Sequence, residues 1–298
     1  MSTFIKKLMR PARSLAGHLI PSAIQNRLDG IEQGLISAEI DRVRERMAAK
    51  HPEAVMLRGH KVHSQCDEDG IIAEIFTRIG GPRSKVFCEI GCGNGRENNT
   101  HNLVLNGWRG IWIDGSPKNI ERIRKWIPDA SSGTLRVLQA FVTRDNVDKL
   151  LSQEMGGLGF RDEKPEIDYL SLDIDGNDLH VLKAITAVDA RVISVEYNAK
   201  FPPPAKVAMG YSAEHRWGRD DYYGASLQEY VDLLGSQGYR LVCCTVSGVN
   251  AFFAKESELG EIAVLPVTDL YQPPRLHLTR LRSGHTSSLK FLRDRLRS

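Results

Sequence analysis

Cysteine is scarce and odd in number: Cys66, Cys88, Cys92, Cys243 and Cys244. No CxxC pair or histidine-rich spacing accompanies them, and three sit in or beside apolar strand-like runs. That pattern argues against a disulfide framework or a structural zinc site, and for reduced thiols in a cytoplasmic protein. Long apolar runs are missing too; none approaches the roughly 18 residues of a membrane span. Near the N-terminus the apolar stretch is broken by Arg10, Pro11 and Arg13, so a signal peptide is not expected. Charge of one sign is also in short supply. The net charge of +3 is too small to point to nucleic acid, and no internal repeat of fixed period is visible.

What remains is an ordinary globular composition, with 41% hydrophobic and 26% charged residues in 298. That suits one large α/β domain with extensions. We divide the chain into a helical N-terminal extension over residues 1–60, a catalytic domain over 61–260 and a basic C-terminal tail over 261–298. Phe4, Ile5, Leu8 and Met9 recur at helical spacing among Lys6, Lys7, Arg10 and Arg13. Such a segment either packs on the protein or rests on an anionic membrane surface. Residues 31–49 are also helical and charged, a candidate dimerisation arm.

From Asp67 onward helical and strand patterns alternate. Ile71, Ile72, Ile75, Phe76 and Ile79 form a helical stripe closed by Gly80, Gly81 and Pro82. Strands are expected at 85–90, 110–114, 134–142, 167–173 and 191–196, with helices at 98–106, 117–126, 145–155, 178–188 and 226–237. Residues 239–246 and 249–255 read as a hairpin around Ser247-Gly248. Strand-then-helix repeats imply a Rossmann-like, doubly wound and mostly parallel sheet of seven strands, and the hairpin adds an antiparallel element.

The first strand runs into Glu89-Ile90-Gly91-Cys92-Gly93-Asn94-Gly95. Glycines at alternate positions let the backbone turn sharply and approach a ligand with no Cβ in the way. A pyrophosphate site usually has GxGxxG opening a helix. Here the spacing is GxGxG with an acid two residues ahead of it, which suits the cationic part of S-adenosylmethionine. The second strand ends in Asp114, followed by Gly115 and Ser116, and an acid at that point can accept ribose hydroxyls. Glu89, Gly91, Gly93, Asn94, Gly95, Asp114, Gly115 and Ser116 are therefore the expected cofactor residues.

Asp173 and Glu196 end the fourth and fifth strands and should open onto the same crevice. Three roles compete for the acids and for Asn198. Asp173, Glu196 and Asn198 could hold Mg2+ through hard oxygen ligands. One carboxylate could be the general base toward a hydroxyl. Asp175 and Asp178 could simply cap the next helix. His101 and His215 are further candidate bases. His215 lies in the irregular stretch 198–223, either a binding lid or a surface loop.

Ser64-Gln65-Cys66-Asp67-Glu68-Asp69-Gly70 and Asp168-Tyr-Leu-Ser-Leu-Asp-Ile-Asp-Gly-Asn-Asp178 resemble segments of the FkbM-type methyltransferases. Residues 192–198 and 223–253 resemble an uncharacterised bacterial branch of that group, so the likeness spans roughly 63–255. Asp175 stands where the family usually has Glu, and Asn177 where it often has Ala. The resemblance implies a class I fold and S-adenosylmethionine-dependent O-methylation, often of a sugar hydroxyl in a glycan, glycolipid or secondary metabolite. It matches Glu89, Gly91, Gly93, Gly95 and Asp114 to cofactor positions. The competing readings are an NAD or nucleotide-sugar enzyme, and a non-catalytic binding protein on the same fold.

Between Arg275 and Ser298 seven Lys or Arg stand against one Asp. Such a run is a solvated face or tail, or with the N-terminus a peripheral contact to the inner membrane surface, near a lipid-linked glycan. Self-association is the other partner expectation.

Overall fold

The computed structural model of the chain describes residues 21–127 and 133–297. The apolar stripe at residues 4–9 lies outside them. Helix α1 (Ser22–Lys50) and a 3-10 turn (Val55–Arg58) precede α2 (Glu68–Arg78). Then follow β1 (Val86–Ile90), α3 (His101–Leu105), β2 (Arg109–Asp114), α4 (Pro117–Trp126), β3 (Leu135–Gln139) and α5 (Val147–Gly157). The second half holds β4 (Glu166–Leu172), α6 (Asp178–Ala184), β5 (Asp189–Glu196), α7 (Leu227–Ser236) and the hairpin β6 (Tyr239–Cys244) and β7 (Asn250–Lys255). Short helices α8 (Val267–Leu270) and α9 (Lys290–Arg297) close the chain.

The seven strands lie in the order β3-β2-β1-β4-β5-β7-β6. β1 to β5 pair in parallel. β7 inserts antiparallel between β5 and β6. This is the expected doubly wound sheet with its hairpin. The expected helix at 98–106 shrinks to five residues, because the preceding backbone is committed to the glycine turn.

Alternate strand residues feed two cores, as a sheet covered on both faces requires. Phe87, Trp112, Tyr169 and Phe252 meet α1, α2 and α4 on one face. Cys88, Ile111, Leu170 and Phe253 meet α5, α6 and α7 on the other. All five cysteines are free and buried. No helix among the described residues is long and apolar enough to cross a membrane.

The termini do not separate from the domain at 60 and 260. Ile36, Ile40, Val43 and Met47 of α1 share one core with Leu278, Leu289 and Leu292 of the tail. The tail's cations meet acids rather than open solvent alone: Arg280 pairs with Glu32 at 3.2 Å, Arg282 with Asp29 at 3.0 Å and His277 with Glu39 at 2.6 Å. The basic run at 275–282 thus complements the acidic flank of α1.

The N-terminal ends of the central strands are tied by Arg191, which pairs with Asp168 and, at 2.5 Å, with Glu258. Arg191, 1% exposed, donates to Asp168 at 2.7 Å and to the carbonyl of Gly81 at 2.8 Å. Asp168 also accepts the backbone N–H groups of Arg83, Ser84 and Lys85. Breaking such a pair leaves a buried charge uncompensated. Arg191→Met is expected to cost about 3–5 kcal/mol in urea unfolding; a loss below about 1 kcal/mol would contradict this role for the pair.

Candidate active site

In an open parallel sheet the ligand crevice lies beyond the carboxyl ends of the strands, where the strand order reverses. Here that point falls between β1 and β4, and a cavity of about 620 Å3 opens there. Its lining includes Gly91, Gly93, Asp114, Gly115, Ser116, Asp173, Asp175, Glu196 and His215.

The turn after β1 is shaped by two contacts. The Gly91 N–H donates to the carbonyl of Ile113 at 2.8 Å, and the Asp173 N–H donates to the carbonyl of Ile90 at 3.0 Å. Gly91 has φ +95°, and a Cβ there would lie 1.5 Å from the Asp173 carbonyl oxygen. Gly93, at φ +58°, has open space where its side chain would be. Its N–H donates to Asp114 Oδ2 at 2.9 Å, while Asp114 Oδ1 accepts from the Ser116 N–H at 2.8 Å and the Asn119 amide at 3.1 Å. Asp114 is thereby fixed at the end of β2, with lone pairs of Oδ2 still free. Ser116 caps α4, whose first residue is proline, a favoured start.

Three expected cofactor residues are placed differently. Glu89 lies beneath the turn on the α2 face. Its carboxylate accepts the Asn99 N–H at 2.9 Å and the Thr100 hydroxyl, which in turn accepts from Trp112 Nε1 at 2.6 Å. Burial pushes its carboxyl up to about 7. Gly95 faces inward as well, because a Cβ there would meet the Trp112 ring at 2.8 Å. Asn94 accepts the Arg96 N–H at 3.1 Å and does not line the cavity. These residues shape the turn from behind.

The acidic strand ends do meet. One oxygen each of Asp173, Asp175 and Glu196 fall within 4.8 Å of one another. Asp173 and Glu196 stand at the ends of the paired strands β4 and β5. Both are held well above the ordinary carboxyl range, first by burial and then by the neighbouring carboxylates. Asp175 is raised by burial and by Asp114. It also has φ +55°, uncommon for a residue with a side chain. Asp178 accepts the N–H groups of Ile174 and Gly176, each at 2.8 Å, and so folds the loop that presents Asp175.

Asn198 is not part of the cluster. Its amide nitrogen donates to the carbonyls of Asp221 at 2.9 Å and Tyr223 at 3.1 Å, and its Oδ1 accepts the Lys200 N–H at 3.3 Å. Asp175 is the third acid that groups with Asp173 and Glu196.

His215 reaches the cavity. Its ring rests on Gly176, where a Cβ would sit 2.3 Å from Cδ2, and its Nε2 is buried without a hydrogen-bond partner. Glu196 Oε2 is likewise buried and unpartnered. The stretch 198–223 is tied across the cavity rather than loose. His180 Nε2 meets the Met209 carbonyl at 2.8 Å, Asn177 donates to the Ser212 carbonyl at 2.7 Å, and Arg216 lies over the Phe141 ring. His101, by contrast, is fully buried beneath the glycine turn, bonded to the Gly95 carbonyl at 2.8 Å and stacked on His63 at 3.9 Å. Burial and His63 lower it to about 3, and it does not line the cavity.

Sequence reading missed Gln65, Asn119, Phe141, Leu276 and Thr279, all on the cavity wall. Gln65 had a signal in the Ser64–Gly70 segment. Asp69 Oδ2 accepts the N–H groups of Val62, His63 and Ser64, which fixes the loop carrying Gln65.

No family model matches the chain, and no curated protein matches it. Among solved structures it is similar to the N-terminal domain of EvdMO1 with SAH bound, at 13% identity and TM-score 0.40, over 72% of this chain and 94% of that one. It is also similar to magnesium protoporphyrin IX methyltransferase (ChlM) from Synechocystis PCC 6803 with bound SAM, at 10% identity and TM-score 0.37, over 63% and 77%. The methyltransferase domain of bacterial CtHen1-C gives 15% identity and TM-score 0.38, over 64% and 97%. These structural neighbours are methyltransferases or carry bound SAM or SAH; scores this low add nothing about what this chain binds.

The raised carboxyls predict a stability effect of definite sign. A folded-state carboxyl raised by its surroundings costs stability once the pH climbs past the unfolded value, about 4. Glu196→Gln removes that cost. It should therefore raise stability by about 1 kcal/mol near pH 8 and by almost nothing near pH 4. Thermal unfolding across that range reads the difference; parallel melting curves would contradict the raised Glu196 carboxyl.

Proposed function

We propose that this chain is an S-adenosylmethionine-dependent O-methyltransferase acting on a sugar hydroxyl of a glycan, glycolipid or secondary metabolite. The observation that carries the reading is the glycine turn at the strand-order reversal, facing an Asp114 that is fixed by three N–H donors. Electrostatics favour the same cofactor. Glu97, Asp114, Asp173, Asp175 and Glu196 line the cavity, and among the described residues no Lys or Arg lines it. Such a wall attracts a sulfonium and repels a pyrophosphate. The turn also opens no helix onto the cavity, since α3 starts only at His101, so the usual cradle for a dinucleotide is missing. This weighs against the NAD and nucleotide-sugar readings.

The cofactor would supply an activated methyl group. Gly91 and Gly93 let it approach the backbone, and Asp114 Oδ2 accepts a ribose hydroxyl. The acceptor hydroxyl must lose its proton as the O–CH3 bond forms. Asp173 and Glu196 are poised for that, because a base raised above the usual carboxyl range binds the released proton more strongly. His215 Nε2, unpartnered and in the same wall, is the second acceptor of that proton. His215 brings the stretch 198–223 to the cavity wall. For Mg2+, the donor set is Asp173, Asp175 and Glu196, hard oxygens of the kind that ion takes; no step of the transfer is assigned to it. The resemblance to FkbM-type enzymes agrees with a sugar acceptor, and Gln65 of the Ser64–Gly70 segment is the residue it brings to the cavity.

Incubating the protein with S-adenosylmethionine labelled in the methyl group and cell-envelope glycan extracts tests this. Label is expected in a carbohydrate fraction, with Asp173→Asn slowing transfer at least about 100-fold. The rate should climb with pH through a step above the ordinary carboxyl range. A fully active Asp173→Asn variant would remove the base assignment, whereas an absence of label in every fraction would count against the acceptor class.

A further inference from the structure

The cavity wall continues outward in aromatic rings. His215 lies in the wall, and the ring of Tyr222 stands edge-on to it, 6.4 Å between centroids. Tyr223 lies near the acid cluster, where burial and then Glu196 and Asp173 push its hydroxyl up. Trp217 stands edge-on to Tyr223 at 6.1 Å. Trp217 and Tyr222 are therefore one ring beyond the site, and they are exposed by 44% and 57%. Both are fixed by their polar edges. Trp217 Nε1 donates to the Asp220 carbonyl at 2.8 Å, and the Tyr222 hydroxyl accepts the Gly210 N–H at 3.2 Å. Asp220 Oδ1 also accepts the Tyr222 N–H at 3.1 Å. With those edges engaged, the two rings offer a ligand their faces, and rigid Trp and Tyr side chains give contact area at little entropic cost.

We propose that Trp217 and Tyr222 form a stacking platform for a second sugar residue, next to the one that carries the methylated hydroxyl, so that the acceptor is an oligosaccharide rather than a free monosaccharide. This rests on the methyl-transfer reading for the sugar in the cavity. The surroundings of the rings select the occupant. Between residues 212 and 223 no aliphatic side chain is larger than that of Ala213, and Glu214, Arg216, Arg219 and Asp220 are exposed around the rings. A lipid or an apolar protein face would need a continuous apolar patch. A nucleic-acid strand also stacks on aromatic side chains, but in a positively charged groove. Here Arg216 and Arg219 stand against Glu214, Asp220 and Asp221, beside a cavity lined with acids. A pyranose fits both halves of the pattern. Its C–H face packs on the negative face of an aromatic ring, and its hydroxyls exchange hydrogen bonds with the charged side chains around it.

Trp217 is exposed, whereas Trp108 and Trp112 are buried and Trp126 is half-buried, so tryptophan emission of the full-length protein reports on the platform. The protein is titrated, with S-adenosylhomocysteine present throughout, against the oligosaccharide and monosaccharide fractions of a cell-envelope glycan extract. Emission is expected to shift to shorter wavelength with the oligosaccharides, at concentrations at least about 10-fold lower than with the monosaccharides. Tyr222→Ala should weaken that titration about 10-fold. In labelled methyl transfer, Trp217→Ala combined with Tyr222→Ala should raise the oligosaccharide concentration for half-maximal rate at least about 10-fold and lower the maximal rate by less. Calorimetry of the double variant with S-adenosylhomocysteine should give the wild-type affinity, which shows it folded. No emission shift with either fraction, an equal response to both, or a double variant that transfers label as the wild type does would overturn the proposal. An equal shift with adenosine would also overturn it, by assigning the rings to a flat aromatic ligand. An oligosaccharide shift that Tyr222→Ala weakens, with no label in any fraction, would support the platform and remove the methyl-transfer reading instead.

Discussion

The contact between Gly91 and the carbonyl of Asp173 sets the geometry on which the site depends. With 1.5 Å between that oxygen and the place a Cβ would occupy, only glycine lets β1 and β4 leave the sheet side by side. The two chains then separate, β1 into the cofactor turn and β4 into the acidic loop. Because the strand order reverses there, no helix fills the gap and a cavity remains. The hydrogen bonds from Gly91 to Ile113 and from Asp173 to Ile90 make the same crossing from the backbone side. A displaced turn would move Asp114, whose carboxylate is held by the Gly93 N–H.

At the strand ends three acids gather in one cluster. Burial and the neighbouring carboxylates hold Asp173 and Glu196 above the ordinary carboxyl range. Each of the supporting features works to keep them together. Asp178 folds the loop between β4 and α6, Gly176 leaves room for the ring of His215, and Asn198 holds the Asp221 and Tyr223 carbonyls of the segment that carries His215. Stability is lowered by such a cluster, and function is the usual reason for keeping one.

Much of this was legible from the residues. The sheet, its hairpin, the glycine turn and Asp114 follow from strand periodicity and from glycine's tolerance of positive φ. What could not be read was direction. Glu89 and Gly91 are neighbours in the same motif, yet Glu89 points beneath the sheet to Thr100 while Gly91 borders the cavity. Period-two alternation distinguishes the faces of a strand, but it does not say which face meets the ligand. Asn198 looked like a metal ligand by its position after β5, and only the tertiary contact with Asp221 and Tyr223 shows its amide occupied. Leu276 and Thr279 come from the tail, far along the chain, and no local pattern announces them at the cavity. The tail's basic run likewise reads as solvated until Arg280 and Arg282 are seen against Glu32 and Asp29.

The turn and Asp114 are the part of the molecule we propose as a site for S-adenosylmethionine. Isothermal titration with S-adenosylhomocysteine and, separately, with NAD addresses that most directly. We expect one site for S-adenosylhomocysteine, no heat from NAD, and affinity for the former reduced about 10–100-fold in Asp114→Ala, the loss of a buried charged acceptor. Binding of NAD without binding of S-adenosylhomocysteine would contradict it.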